Sequence, residues 1–186
     1  LSSSSAASDV YKRQALGNKV LFPFSGGSIV ALNAVNGIEE WEINLENSNI
    51  GSASSALGDF ASDPAVYGST IFGVGAFGET FSATKSGKVL WRNNIQSSSR
   101  LVVSGNSAFY SSNNSLIGRI NSKNGKIVFL KEFTGKRWVK YHGPLLLQNK
   151  LLVLATDKNA YWFSPEDGRL LNNCLLYTSD AADEED

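Results

Sequence analysis

Apolar residues along the chain fall in short alternating runs separated by Gly-containing or polar pairs. Val20-Leu21-Phe22, Thr70-Ile71-Phe72, Ala108-Phe109-Tyr110 and Leu151-Leu152-Val153-Leu154 follow Gly17-Asn18, Gly68-Ser69, Gly105-Asn106 and Gln148-Asn149. Further on in each case comes a second run: Ile29-Val30-Ala31-Leu32, Thr80-Phe81-Ser82, Leu116-Ile117-Gly118-Arg119-Ile120 and Tyr161-Trp162-Phe163. These runs are rich in β-branched and aromatic residues and carry no 3.6-residue apolar period over a helical length, so they predict strands. Four residues beyond the end of each second run comes a polar-Gly pair: Asn36-Gly37, Ser86-Gly87, Asn124-Gly125 and Asp167-Gly168. Such pairs suit positive φ in two-residue hairpin turns.

The four glycines are 50, 38 and 43 residues apart. A period of about 40–50 residues with four short strands per unit is the signature of a β-propeller blade. Trp41, Trp91 and Phe129 stand four residues after the first three of these glycines, and Asn172 departs from the pattern after the fourth. One ring per unit, burying about 150–250 Å², can wedge between neighbouring blades. The expected fold is all-β: a partial propeller of about four four-stranded blades.

Composition narrows the reading. At 42% hydrophobic residues the chain can bury a core, and equal numbers of acidic and basic residues, 17 each, give no support for nucleic-acid binding. One cysteine excludes an intramolecular disulfide framework. No apolar run approaches the roughly 18–20 residues of a spanning helix. The ends differ in character from the rest. Ser4 to Gln14 (SSAASDVYKRQ) and Cys174 to Glu184 (CLLYTSDAADE) read as the two strands of one sequencing-library adapter, translated at either end. Residues 1–14 and 174–186 are therefore expected to be adapter-derived, and 15–173 to be an internal piece of a longer gene product. Setting aside Lys12, Arg13 and the acids Asp9, Asp180, Asp183, Glu184, Glu185 and Asp186 leaves 15 basic and 11 acidic residues and no cysteine. Taken alone, a half-ring exposes edges that neighbouring blades cover, so aggregation or a loose monomer is expected.

The stretch G-x-I-V-A-L-N-A-x-N-G-x-x-x-W at Gly27 to Trp41 resembles the PQQ-type propeller repeat, as does the copy ending Ser86-Gly87-Lys88-Val89-Leu90-Trp91. The order of features resembles the BamB family of outer-membrane protein assembly factors more narrowly. The matching stretches are Pro23 to Leu32, Ser55-Ala56-Leu57-Gly58-Asp59-Phe60 leading to Pro64-Ala65-Val66, Arg137-Trp138, and Gly143 to Leu146. The resemblance implies about half of an eight-bladed ring. It also implies non-enzymatic scaffolding without cofactor or metal, at the periplasmic face of the outer membrane, through an anchor outside this segment. The implied partners are the central subunit of the β-barrel assembly machinery and unfolded outer-membrane proteins.

The longest insertion, Asn47 to Asp63, is rich in Ser, Ala and Gly and accounts for the 50-residue spacing. It reads as a solvated inter-blade loop or as a partner-contact loop on a rigid scaffold. By resemblance it is the docking surface for the central subunit. Leu57 and Phe60 would be apolar anchors, and Asp59 and Asp63 charged contacts; Ala61 stands where a second acid of the motif is expected.

Other motifs carry less. Gly73-Val74-Gly75-Ala76-Phe77-Gly78 is a literal G-x-G-x-x-G, but another hairpin turn follows where a dinucleotide site needs a helix. Ser86-Gly87-Lys88, Asn124-Gly125-Lys126 and Thr134-Gly135-Lys136 lack the first Gly and the Ser or Thr of a phosphate loop. His142 reads as a loop or packing histidine, Asp167 as a turn residue, and Asp157 with Glu166 as weak acid–base candidates. Trp41, Trp91, Trp138 and Trp162 read as packing residues rather than a stacking site for a quinone or sugar. Two alternatives stay open: a fragment of a PQQ-dependent quinoprotein dehydrogenase, or a sensor propeller.

Overall fold

The computed structural model describes residues 14–24, 27–45, 62–75, 79–95, 97, 99–112, 114–133 and 139–176. Among them lie sixteen strands, numbered in chain order, and no helix. Four antiparallel meanders follow one another along the chain. The first is β1 (Gln14–Leu16), β2 (Lys19–Phe24), β3 (Ser28–Asn33) and β4 (Glu39–Asn44). The second is β5 (Ala65–Tyr67), β6 (Thr70–Val74), β7 (Glu79–Thr84) and β8 (Val89–Asn94). β9 (Val102–Ser104), β10 (Ser107–Ser112), β11 (Leu116–Asn121) and β12 (Ile127–Glu132) make the third. β13 (Tyr141–Leu147), β14 (Lys150–Ala155), β15 (Asn159–Phe163) and β16 (Leu170–Leu175) make the fourth. These are four blades of a β-propeller, as the period predicts. Gln14 pairs with Leu21 at one end and Cys174 with Ala160 at the other.

The core lies between sheets rather than inside any one of them. Leu21, Ile29 and Ile43 of the first blade pack on Ile71, Phe81 and Ala83 of the second. Phe72, Val74 and Trp91 of the second meet Leu101, Ala108 and Ile120 of the third. Phe109 and Ile117 of the third meet Tyr141, Leu151, Val153 and Phe163 of the fourth. A four-stranded sheet presents two faces, and stacking sheets side by side buries both.

The turns correct one expectation. The two-residue hairpins are the first ones of each blade, Gly17-Asn18, Gly68-Ser69, Gly105-Asn106 and Gln148-Asn149. Gln148 and Asn149 both take positive φ, 47° and 58°, the sign pattern of a type I′ turn. The polar-Gly pairs instead sit in longer loops, in which only the glycine has positive φ. Side chains explain the difference. Asn36, Asn124 and Asp167 each accept, through their Oδ1, the backbone N–H of the residue just past the glycine, at 3.0, 3.0 and 3.2 Å. Each of these three residues thus closes a small ring over its glycine and keeps a negative φ itself, whereas at Ser86-Gly87 the Lys88 N–H is taken by Thr84 Oγ1 at 3.2 Å. A hydrogen bond from the Ser164 side chain first, and the backbone N–H of Arg169 after it, hold the exposed Asp167 carboxyl below its ordinary range.

Candidate functional site

The segment singled out from the sequence lies almost wholly outside the described residues: Leu57, Asp59 and Phe60 belong to 46–61. Asp63 is described. It is half-buried, its backbone carbonyl accepts a bond from Ser62 Oγ at 3.4 Å, and it leads into the buried Pro64 and Ala65. The segment therefore enters the second blade at a fixed point, the start of β5.

The described geometry is most informative where one blade meets the next. In every blade the ladder between the last two strands slips by one residue, at Ala31/Leu32, Ser82/Ala83, Arg119/Ile120 and Trp162/Phe163. The extra residue is Glu40, Leu90, Val128 or Leu171, immediately before Trp41, Trp91, Phe129 or Asn172. A bulge re-aims the side chain beside it. Here it turns the ring toward the following blade. A Cβ on Gly87 would stand 2.6 Å from Trp41 Cγ, one on Gly125 2.6 Å from Trp91 Cε3, and one on Gly168 2.4 Å from Phe129 Cε2. Each ring is thus seated on the turn glycine of the next blade, where no side chain fits.

The indole N–H groups add a polar contact. Trp41 Nε1 donates to the carbonyl of Lys85 at 3.0 Å, and Trp91 Nε1 to that of Ser122 at 2.9 Å. Lys85 and Ser122 both directly follow the residue that opens the turn, Thr84 or Asn121. Phe129 has no such donor. The carbonyl in the same place of the fourth blade, that of Pro165, is approached at 3.3 Å by Arg119 Nη1. Arg119 is the direct cross-strand partner of Phe129. Ring and donor, united in one tryptophan at two interfaces, are split between two strands at the third.

Gly73 and Val74 lie within β6, paired with Phe81 and Thr80, so this part of the G-x-G-x-x-G is strand; Ala76 to Gly78 are outside the described residues. Ser86-Gly87-Lys88 and Asn124-Gly125-Lys126 are inter-strand turns, and Gly87 and Gly125 are occupied by rings. His142 is an exposed residue of strand β13, not of a loop. Asp157 and Asp167 accept bonds from the backbone of their own turns. Trp138 lies outside the described residues, and Trp162 faces Asn172 across the ladder. Among the described residues no three His, Cys, Asp or Glu side chains converge on a point that could hold a metal. A cavity of about 200 Å³ opens between the third and fourth blades beside Arg119 and Glu166, and one of about 440 Å³ between the first and second beside Lys19 and Lys85.

Comparison with solved structures agrees with this architecture. BamB from Moraxella catarrhalis superposes with a TM-score of 0.78 at 16% identity, over 88% of this chain and 49% of that one. The computationally designed Ika8 protein superposes with a TM-score of 0.69 at 14% identity, over 89% of this chain and 48% of that one. The chain thus spans about half the length of both. Comparison with curated protein sequences finds no match. The sequence profile described as outer membrane protein assembly factor BamB matches residues 1–131 and 85–182, which together span nearly the whole chain. The chain belongs to the family of the outer membrane protein assembly factor BamB.

Proposed function

We propose that the chain serves as a non-enzymatic scaffold of the outer-membrane β-barrel assembly machinery, holding the central barrel subunit through its inter-blade loops. Membership of the BamB family carries this reading, since that family's name is an assembly function. The fold is consistent with it. Successive blades lock ring to glycine, so a loop between two of them is carried on a stiff base. Binding segments are commonly built this way.

In this reading Leu57 and Phe60 supply the apolar anchors, and Asp59 and Asp63 the charged contacts that orient the approach. The site of action is the periplasmic face of the outer membrane. Unfolded outer-membrane proteins are a second class of partner, reached through exposed strand edges.

The test is binding of the 186-residue chain to the purified periplasmic domains of the central barrel subunit, followed by interferometry. Saturable binding is expected. The pair Leu57→Ala and Phe60→Ala should weaken it at least tenfold, the effect of about 1.4 kcal/mol. Charge reversal at Asp59 and Asp63 should mainly slow association. No binding would overturn the scaffold reading. Binding that ignores all four substitutions would remove the loop from it.

A further inference from the structure

We propose that the cavity of about 200 Å³ between the third and fourth blades is a binding site for a small organic acid, whose carboxylate Arg119 would hold and whose apolar body Phe109 and Leu146 would cover. The strand register builds it. Ser104 pairs with Ser107, and Phe109 with Arg119. Cross-strand partners share a face of the sheet, and so do Ser107 and Phe109, two residues apart on β10. All four side chains therefore look from the third blade toward the fourth, where Leu146 and Asn149 extend the lining.

The same face of the second blade shows what opens the cavity. Its matching rungs are Tyr67 with Thr70 and Phe72 with Ser82. Tyr67 crosses to the third blade, and its hydroxyl accepts the N–H of Gly105 at 3.0 Å. One blade later Ser104 stands in place of Tyr67, and Arg119 in place of Ser82. The third blade thus has a small hydroxyl where the second has a spanning ring, and a cation where the second has a buried serine.

That cation is short of partners. Arg119 is half-buried. Its Nη1 reaches the carbonyls of Pro165 and Glu166 at 3.3 and 3.5 Å, beyond the usual N–H to oxygen range, and its Nε is buried with no partner. No carboxylate among the described residues pairs with it, whereas Arg92 of the second blade pairs with Glu79. Cations taken out of water are ordinarily matched by anions. Ser107, only 9% exposed, makes no side-chain hydrogen bond among the described residues either. A fork of guanidinium donors beside a hydroxyl suits the two oxygens of a carboxylate. Volume limits the rest of the ligand. Pockets for drug-sized molecules run to about 300–1,000 Å³, so this one takes a body on the scale of a single ring. The cavity between the first and second blades lacks this logic, since Lys19 there is already paired with Glu40.

The site is independent of the loop-docking reading. It lies at the end of the sheets that carries the first hairpin of each blade, whereas β4 leaves and β5 enters at the opposite end.

A ligand-observed NMR titration of the 186-residue chain with benzoate tests this. Benzamide serves as the uncharged analogue, and acetate as the carboxylate without a body. Saturable benzoate binding is expected, with the other two weaker by about tenfold or more. Arg119→Ser should abolish it. So should Ser104→Tyr, which copies Tyr67 at an exposed position and leaves Arg119 in place. Circular dichroism checks that both variants stay folded. Glu166→Gln, which removes an acidic side chain from the lining, should tighten binding. The proposal is overturned by no saturable binding, by benzamide or acetate binding as well as benzoate, by binding that survives Arg119→Ser or Ser104→Tyr, or by a loss of binding in Glu166→Gln.

Discussion

The second and third blade interfaces satisfy the same backbone carbonyl by different means. Between the second and third blades one residue does both jobs: Trp91 seats its ring on Gly125 and bonds Ser122 O. Between the third and fourth blades Phe129 takes the seat on Gly168, and Arg119 reaches Pro165 O from the neighbouring strand. The pairing partner of Trp91 is Ser82, small and fully buried; that of Phe129 is a half-buried guanidinium. The unit preserved around the propeller is thus a ladder pair, not a residue. A blade can lose its tryptophan without losing its grip, provided its cross-strand partner changes too.

The comparison breaks most completely if the ring is removed. Trp91 is 8% exposed. Trp91→Ala should cost about 3–5 kcal/mol, as large aromatic deletions from cores do, and the Ser122 carbonyl would lose its donor. Phe129→Ala, at a half-buried ring, should cost less. Urea unfolding of both variants gives the two numbers, and equal losses would mean that burial does not rank the interfaces.

Next comes the seat. Gly125→Ala must place a methyl inside the Trp91 ring and also hold a positive φ of 70°. Left-handed backbone costs an L-residue about 1–2 kcal/mol, and overpacking adds about 1–3 kcal/mol. Gly37→Ala, where nothing stands within 4 Å of the added Cβ, keeps only the first cost. The difference between the two variants in urea isolates the seat, and similar losses would show that the ring simply moves aside.

Much of this was legible in the sequence, because it is local. The period, the turn glycines and the aromatic four residues after each of the first three are set by backbone conformation and by one bulge per blade. What the sequence hid was set by distance or by register. Arg119 meets Pro165 across 46 positions, and only the slip at Arg119/Ile120 makes it the partner of Phe129 rather than of a neighbour. The corresponding slip in the fourth blade, at Trp162/Phe163, concealed Trp162. It stands in a run of apolar residues, Tyr161-Trp162-Phe163, and its relation to Asn172 exists only once the strands are paired. The polar-Gly pairs misled for a different reason. Positive φ at the glycine was foreseeable, but whether its neighbour shares it depends on a side-chain bond across the turn, as at Asn36. The candidate loop offers the weakest comparison, with Asp63 described and Leu57, Asp59 and Phe60 outside the described residues.

A smaller effect sharpens the ladder-pair idea from its quiet side. Ser82 is fully buried and its Oγ has no hydrogen-bond partner, and Ala31 fills the same place one blade earlier. An unpartnered buried hydroxyl costs about 1–3 kcal/mol, part of which a methyl recovers. Ser82→Ala should therefore stabilise the protein slightly, and a loss of stability in thermal unfolding would mean that the hydroxyl has a partner.

The smallest expected change is the most discriminating. Arg119 contributes a donor to Pro165 O but keeps its own Nε buried and without a partner. Those two effects oppose each other, so Arg119→Ser alone should shift stability by no more than about 1 kcal/mol. Phe129→Trp alone must fit an indole N–H beside a guanidinium already aimed at the same carbonyl. The double variant recreates the Ser82–Trp91 pair of the second blade, with one donor for one carbonyl. If the ladder pair is the unit, the two substitutions are non-additive, and the double variant is more stable than their sum by about 0.5–1.5 kcal/mol, within the range of coupled neighbours. Additivity within error would mean that Arg119 and Phe129 act separately. The resemblance of the third interface to the other two would then be one of shape alone.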